Sequence, residues 1–168
     1  MKPSKSEYAP FYETYVSKLT DDTVWIQLHE HTEKFVRFLG KIPKNKWDYS
    51  YAEGKWTIRQ VLQHIIDTER IMAYRALTIA RKDAVNLPGF DENEYAAAAP
   101  VSHIEWDDLV SEFSALRIAN MLMFSNFTDD MMSEIGNANN NPISVNALAH
   151  IIVGHAVHHH QILKERYL

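Results

Sequence analysis

The sequence predicts an all-α protein, a four-helix bundle, on three observations. Four segments of about 18 to 25 residues carry apolar side chains at the spacing of a helix buried along one face. Three of these segments open on helix-capping residues. No segment reads convincingly as a strand, so the apolar stripes must bury against one another.

The first helix is expected over about 22–39, where Val24, Leu28, Phe35 and Phe38 recur at helical spacing. Its start falls near Asp21 or Asp22, and Gly40 with Pro43 beyond it ends the pattern. The second, about 58–82, opens on Thr57 and Gln60, whose side chains can each satisfy the other's free backbone N–H, while Trp56 can pack on Val61. The third, about 103–126, repeats the device with Ser102 and Glu105, flanked by Val101 and Trp106. The fourth, about 145–166, opens on Ser144, with Ile143 and Leu148 as the flanking apolar pair, although Ala147 completes no capping box. Between them lie Leu87-Pro88-Gly89-Phe90 and the polar turn Gly136 to Pro142. Connections of roughly 17 to 20 residues exceed the commonest helix–helix loops, which fits crossover topology or loops that cover a site.

The chain of 168 residues fits one domain, 1–168, and its 46% hydrophobic content is enough to bury a core. Its 17 basic and 22 acidic residues give a net charge of −5, which argues against nucleic acid or an anionic membrane as partner. Lys2 and Lys5 are followed by no apolar stretch, and no apolar run approaches the roughly 18 to 20 residues of a membrane span, so a soluble, cytoplasmic protein is expected. The absence of cysteine excludes disulfides, thiolate metal sites and a cysteine nucleophile. Nine histidines remain, so any metal must be held by nitrogen and oxygen.

Taken in register, three of those histidines converge. On the last helix Leu148, Ile152, His155, His159 and Ile162 form a single inward stripe, in which His155 and His159 stand one turn apart. On the second, Val61, His64, Thr68 and Ile71 form another, so His64 also faces inward. Burying three neutral imidazoles without partners costs about 1 to 3 kcal/mol each, whereas a shared metal satisfies one nitrogen on every ring. Three such ligands leave a position for water or substrate, the arrangement of a catalytic rather than a closed structural site.

Other residues complete the candidate site. Asp67, one turn beyond His64, can orient a ligand imidazole or assist proton transfer, or it is a surface carboxylate. Arg75 continues the His64 stripe roughly 16 Å further along the axis, where it can hold an anionic substrate tail or form a buried ion pair. Asn120 interrupts the stripe of Leu109, Phe113, Leu116, Met123 and Phe127, as a substrate contact or as a partner for a neighbouring polar group. His31, between Leu28 and Phe35, is the main rival ligand. His158 and His160 flank the stripe, and His29, His103 and His150 read as surface or boundary residues. No Glu-x-x-His, complete His-Glu-x-x-His, phosphate loop or Gly-x-Gly-x-x-Gly occurs.

The stretch Lys55-Trp56-Thr57-Ile58-Arg59-Gln60-Val61-Leu62-Gln63-His64-Ile65-Ile66-Asp67-Thr68-Glu69-Arg70 resembles the DinB-like, YfiT-like superfamily of bacterial four-helix metalloproteins. So do Leu87-Pro88-Gly89-Phe90-Asp91-Glu92, Asn141-Pro142-Ile143-Ser144-Val145 and Gly154-His155-Ala156-Val157-His158-His159. The resemblance covers roughly Pro43 to the C-terminus. It implies an up-down-down-up bundle, frequently a homodimer, with one histidine from the second helix and a His-x-x-x-His pair from the fourth binding a divalent ion, often Zn or Ni. Those roles carry onto His64, His155 and His159. Ala156 and Val157 stand where many relatives have Glu and Arg, so that charged pair has no counterpart. Relatives include metal-dependent hydrolases, bacillithiol-using S-transferases and a mycothiol-using isomerase. The function implied is a metal-dependent hydrolase or thiol S-transferase acting on a small molecule, with a low-molecular-weight thiol as co-substrate. The alternative is a non-catalytic, metal-stabilised dimeric bundle that binds a small molecule or a partner.

Overall fold

The computed structural model describes residues 1–20 and 24–168, so the helix start expected at Asp21 or Asp22 lies outside the described residues. The four long helices are α2 (Val24–Leu39), α3 (Ile58–Ala80), α5 (Trp106–Ser125) and α7 (Val145–Ile162). Three short ones, α1 (Glu13–Val16), α4 (Glu92–Ala98) and α6 (Asp129–Ser133), lie around them. α3 packs on α7 and α5, and α2 packs on the same two helices from the other side.

Contacts along the helices fix their directions. α2 opposes α5, since Trp25 meets Phe124 near one end, Phe35 meets Phe113, and the Trp106 indole donates to the Leu39 carbonyl at the other. α3 and α5 run parallel, with Arg59 on the Ile104 carbonyl just ahead of α5 and Glu69 paired to Arg117. α7 opposes α3, as His64 meets His155 and the Tyr167 hydroxyl donates to the Trp56 carbonyl. The bundle is therefore up-down-down-up. Two parallel neighbours in sequence need a connection that returns the chain, and residues 81–105 supply it. No helix among the described residues is long and apolar enough to cross a membrane.

Local chemistry explains most helix starts. Thr57 and Gln60 form the reciprocal cap, at 3.2 and 2.9 Å, and the Ser144 hydroxyl accepts from Ala147 N–H at 2.9 Å. The third long helix departs from its expected start. Val101–His103 is a 3₁₀ turn, and α5 begins at Trp106 after Glu105, whose side chain makes no capping bond. The Ile104 carbonyl is taken by the Arg59 guanidinium instead of an intrahelical N–H, so Ser102 caps no helix there.

A small sheet corrects the reading that no strand exists. β1 (Asn86–Leu87) pairs in parallel with β2 (Ile135–Ala138), which forms a hairpin with β3 (Asn141–Ser144). Strands this short show no alternation to read. The hairpin turns at Asn139 and Asn140, both at positive φ (51° and 60°), the primed geometry that asparagine tolerates. His150 is a further correction: it is fully buried, and its Nδ1 donates to the Asn146 carbonyl at 2.8 Å.

Two apolar clusters fill the bundle. One gathers Leu28, Met72, Ala76, Phe124, Leu148 and Ile152; the other gathers Phe35, Leu39, Leu62, Ile66, Trp106, Phe113 and Leu163. Polar residues occupy the level between them. Arg117, with 0% of its surface exposed, donates three bonds of 2.7–3.0 Å to the Glu69 carboxylate, and Asn120 Nδ2 donates a fourth at 3.1 Å. Removing one partner leaves a buried charge unpaired. Arg117→Met should therefore lower the unfolding free energy by about 3 to 5 kcal/mol in urea titrations. Adding Glu69→Leu should restore most of that loss, and a double variant no more stable than the single one would contradict the pairing.

Candidate metal centre

His64 projects from the second turn of α3, and His155 and His159 project from successive turns of α7. Because α3 and α7 are antiparallel neighbours, the two inward stripes face each other and the three rings meet. Their centroids are 4.6 to 4.9 Å apart with interplanar angles of 63° to 74°, so every ring presents an edge to the others. His155 and His159 are 3% and 8% exposed, and His64 is half-buried.

One nitrogen from each ring lies within 4.8 Å of the other two, the one such group of three among the described residues. Two donors bonded to one ion at about 2.0–2.1 Å each sit at most about 4.2 Å apart, so small ring rotations bring the set to bonding separation. The nitrogens Nε2 of His64 and His155 are already 2.9 Å apart, where one must donate to the other. Nδ1 of His159 is buried and has no hydrogen-bond partner among the described residues. This donor set fits a divalent ion, with three neutral nitrogens and room for a further ligand.

Burial keeps the rings uncharged. It lowers the pKa of His64 to about 4 and drives those of His155 and His159 well below the ordinary 6.5, and the neighbouring imidazoles add to the effect. Neutral imidazole is the form that binds metal.

The rings open on a cavity of about 380 Å³. Tyr15 stands edge-on to His155 at 5.1 Å, and Trp56 lies 4.7 Å from His64. Gly154 makes the first contact feasible, because a Cβ there would lie 2.3 Å from the Tyr15 carbonyl oxygen. Glycine thus lets α1 settle on α7 beside the site. Burial raises the Tyr15 hydroxyl to about 12, with Glu92 adding to the shift, so it remains a proton donor.

The other expected residues fall in different places. Arg75 lines the cavity and donates to the Pro88 carbonyl. Asp67 accepts from Gln63 at 2.9 Å and lies 3.9 Å from Arg70, but it does not line the cavity. Burial raises its pKa first, while the bond from Gln63 and the charge of Arg70 pull the other way. Asn120 also lies off the cavity, bonded to Glu69. His31 pairs with His160 at 3.4 Å, against Phe35 and Phe38, and neither joins the three rings. His158 lines the cavity without entering the group. Sequence reasoning missed Tyr15, Thr68 and Phe90 as cavity walls. Gly154 inside an apolar helix was the readable sign of a close backbone approach.

A four-helix bundle carrying an inward three-histidine group defines the class. The chain belongs to the DinB superfamily, whose profile matches residues 27–163. Its fold is that of YfiT from Bacillus subtilis, described as a probable metal-dependent hydrolase with an unusual four-helix bundle topology. The TM-score is 0.76 at 18% identity, covering 95% of this chain and 91% of YfiT. The mycothiol-dependent maleylpyruvate isomerase shares the fold at a TM-score of 0.66 and 13% identity, over 85% of this chain and 60% of that one. Two relatives named as predicted metal-dependent hydrolases are similar in sequence. One, from Oceanobacillus iheyensis, is 26% identical over 73 residues, 43% of this chain and 42% of the relative. The other, from Bacillus mycoides, is 31% identical over 58 residues, 33% of this chain and 34% of the relative. The matched stretches thus span less than half of either relative.

The depressed imidazoles set a pH dependence. A histidine whose folded pKa lies below its unfolded value of 6.5 takes up its proton more readily when unfolded, so stability rises with pH across the interval between them. His31, lowered to about 3, and His64 and His160, lowered to about 4, all act in this sense. The metal-free protein should hold a constant unfolding free energy above about pH 6.5 and lose it progressively towards pH 4. Urea titrations across that range test this, and a stability that is flat or rises on acidification would contradict it.

Proposed function

We propose that the chain is a divalent-metal-dependent enzyme acting on a small molecule, of the hydrolase or thiol S-transferase type. The observation that carries this reading is the meeting of three inward-facing imidazoles from two helices, two buried and one half-buried, at the wall of a cavity. His64, His155 and His159 would hold the ion, Zn or Ni, and leave a coordination position towards the cavity. A bound divalent ion would lower the pKa of a water or of a low-molecular-weight thiol there, supplying the nucleophile at neutral pH.

The chain's own residues prepare the rest. Tyr15 and Trp56 wall the rings and limit the access of water. The Tyr15 hydroxyl, held protonated, is available to donate to an oxygen of the substrate. Asp67, with its carboxyl raised by burial and one turn from His64, would orient that imidazole or assist proton transfer. Names of the relatives and of the structures sharing this fold support metal-dependent chemistry on small molecules. Exposed Ile26, Ile118 and Leu122 on α2 and α5 support a homodimer. The cavity favours catalysis over a metal that only stabilises the bundle, since a structural site is closed by its own ligands.

Elemental analysis of tag-free protein should find one divalent ion per chain. His64→Ala and His155→Ala should each weaken its binding by at least about 100-fold. With the metal in place, a panel of glutathione, coenzyme A, bacillithiol and mycothiol should show thiol-dependent turnover or, for the hydrolase reading, turnover with water alone. Stoichiometric metal unaffected by either substitution would refute the assignment.

A further inference from the structure

Two side chains on the cavity wall break rules that their counterparts elsewhere in this chain obey. Of three buried arginines, Arg59 pairs with Asp48 at 2.9 Å and Arg117 pairs with Glu69 at 2.7 Å. Arg75, at 2% exposure, has no carboxylate partner among the described residues. Its guanidinium donates to the Pro88 carbonyl at 2.6 Å, touches the Met72 sulfur at 3.6 Å and lies 6.0 Å from the Phe90 ring. A buried cation left with neutral partners is costly, and the cost is relieved by an anion.

Thr68 is the second exception. A threonine inside a helix ordinarily satisfies its hydroxyl on the carbonyl four residues earlier. Thr32 does so on Leu28 at 2.6 Å, and Thr78 does so on Tyr74 at 2.9 Å. The Thr68 hydroxyl, on a side chain 4% exposed, is buried and has no hydrogen-bond partner among the described residues.

Both residues line the cavity that holds the three imidazoles, on the helix that carries His64. Thr68 follows His64 by one turn, roughly 6 Å along the axis, and Arg75 by about three turns. Helical side chains lean towards the N-terminus, which carries the guanidinium back towards the rings. Between the polar points the wall includes Met72, Ile151 and Phe90.

We infer that Thr68 and Arg75 form a recognition subsite for a carboxylate-bearing substrate, one with an apolar body and its reacting group directed at the imidazoles. This rests on the metal-centred reading only for which end of the substrate reacts. A single guanidinium balances one negative charge, and Glu92 on the same cavity opposes a second, so a monocarboxylate suits the site better than a phosphate dianion. The apolar stretch between the rings and Arg75 sets the length of the body. Thr68 supplies a hydroxyl to a polar atom near the reacting end.

Calorimetric titration of metal-free and Co²⁺-loaded protein with butyrate, hexanoate and octanoate, each beside the alcohol of equal length, tests this directly. The acids should bind better than the alcohols, with an optimum among the longer chains. Arg75→Met should weaken the best acid by about 10- to 100-fold and leave the alcohol unchanged, whereas Arg75→Lys should retain part of the preference. Thr68→Val should leave the affinity for these acids, whose far end is a methyl, within about 2-fold, and should weaken the ω-hydroxy acid of the best length by about 3- to 10-fold, with Thr68→Ser close to the parent. Without ligand, Arg75→Met should melt no lower than the parent protein, an outcome that a merely structural arginine would reverse. Equal binding of acid and alcohol, no binding of any acid, or an unchanged acid affinity in Arg75→Met would overturn the inference. Metal content measured on the same samples reports separately on the metal-centred reading, because the metal-free titration stands without it.

Discussion

Burying polar groups at the middle of a helical bundle is the constraint on which this structure turns. Thr68 and Glu69 of α3, Arg117 and Asn120 of α5 and His155 and His159 of α7 are buried at the level where the two apolar clusters meet. Low polarity around such groups makes every unmade bond expensive and every made bond strong. The layer resolves this in two ways. On one side an arginine and a carboxylate neutralise each other through three hydrogen bonds, and Asn120 donates a fourth to the carboxylate. On the other, three imidazoles are kept neutral and crowded together, with Nδ1 of His159 buried and lacking a partner among the described residues. The first solution neutralises both charges within the protein, although Nη1 of Arg117 has no hydrogen-bond partner among the described residues; the second offers a donor set that fits an added cation.

The bundle topology makes that second region accessible. Because α3 and α5 run parallel, the chain must return along the outside, and the segment containing β1 and α4 brings Gly89, Phe90 and Glu92 to the edge of the histidine cavity. The N-terminal segment closes another side, with Tyr15 seated on the bare backbone at Gly154. The rings themselves come from two helices packed directly on each other, and the walls combine those helices, through Thr68, Met72, Arg75 and Ile151, with connecting segments that bring Trp56, Gly89 and Phe90.

Much of this was legible in the residues. The caps at Thr57 and Ser144 set the register of α3 and α7, and register alone brings His64, His155 and His159 inward. Direction and neighbour relations of the helices are not encoded in periodicity, and they came from the family resemblance. Ser102 misled because a capping pattern describes an option open to the backbone, and the Arg59 guanidinium on the Ile104 carbonyl removed that option through a contact distant in sequence. Strands of two to four residues have no period to detect, and His150 reads as a boundary residue until helix α7 is seen to be covered along most of its surface. Asn120 breaks an apolar stripe and so stands out in the sequence, but its partner, Glu69, lies on another helix and cannot be named from spacing. The exceptional state of Thr68 and Arg75 is likewise a matter of missing partners, which only coordinates reveal.

The central claim is that one ion is shared by three imidazoles from two helices. Anomalous diffraction from crystals of the protein loaded with Zn²⁺, collected on both sides of the zinc absorption edge, tests it most directly. A single strong peak is expected about 2.0–2.1 Å from one nitrogen of each of His64, His155 and His159. A peak bonded to fewer than all three of these rings, or one centred on other side chains, would contradict it.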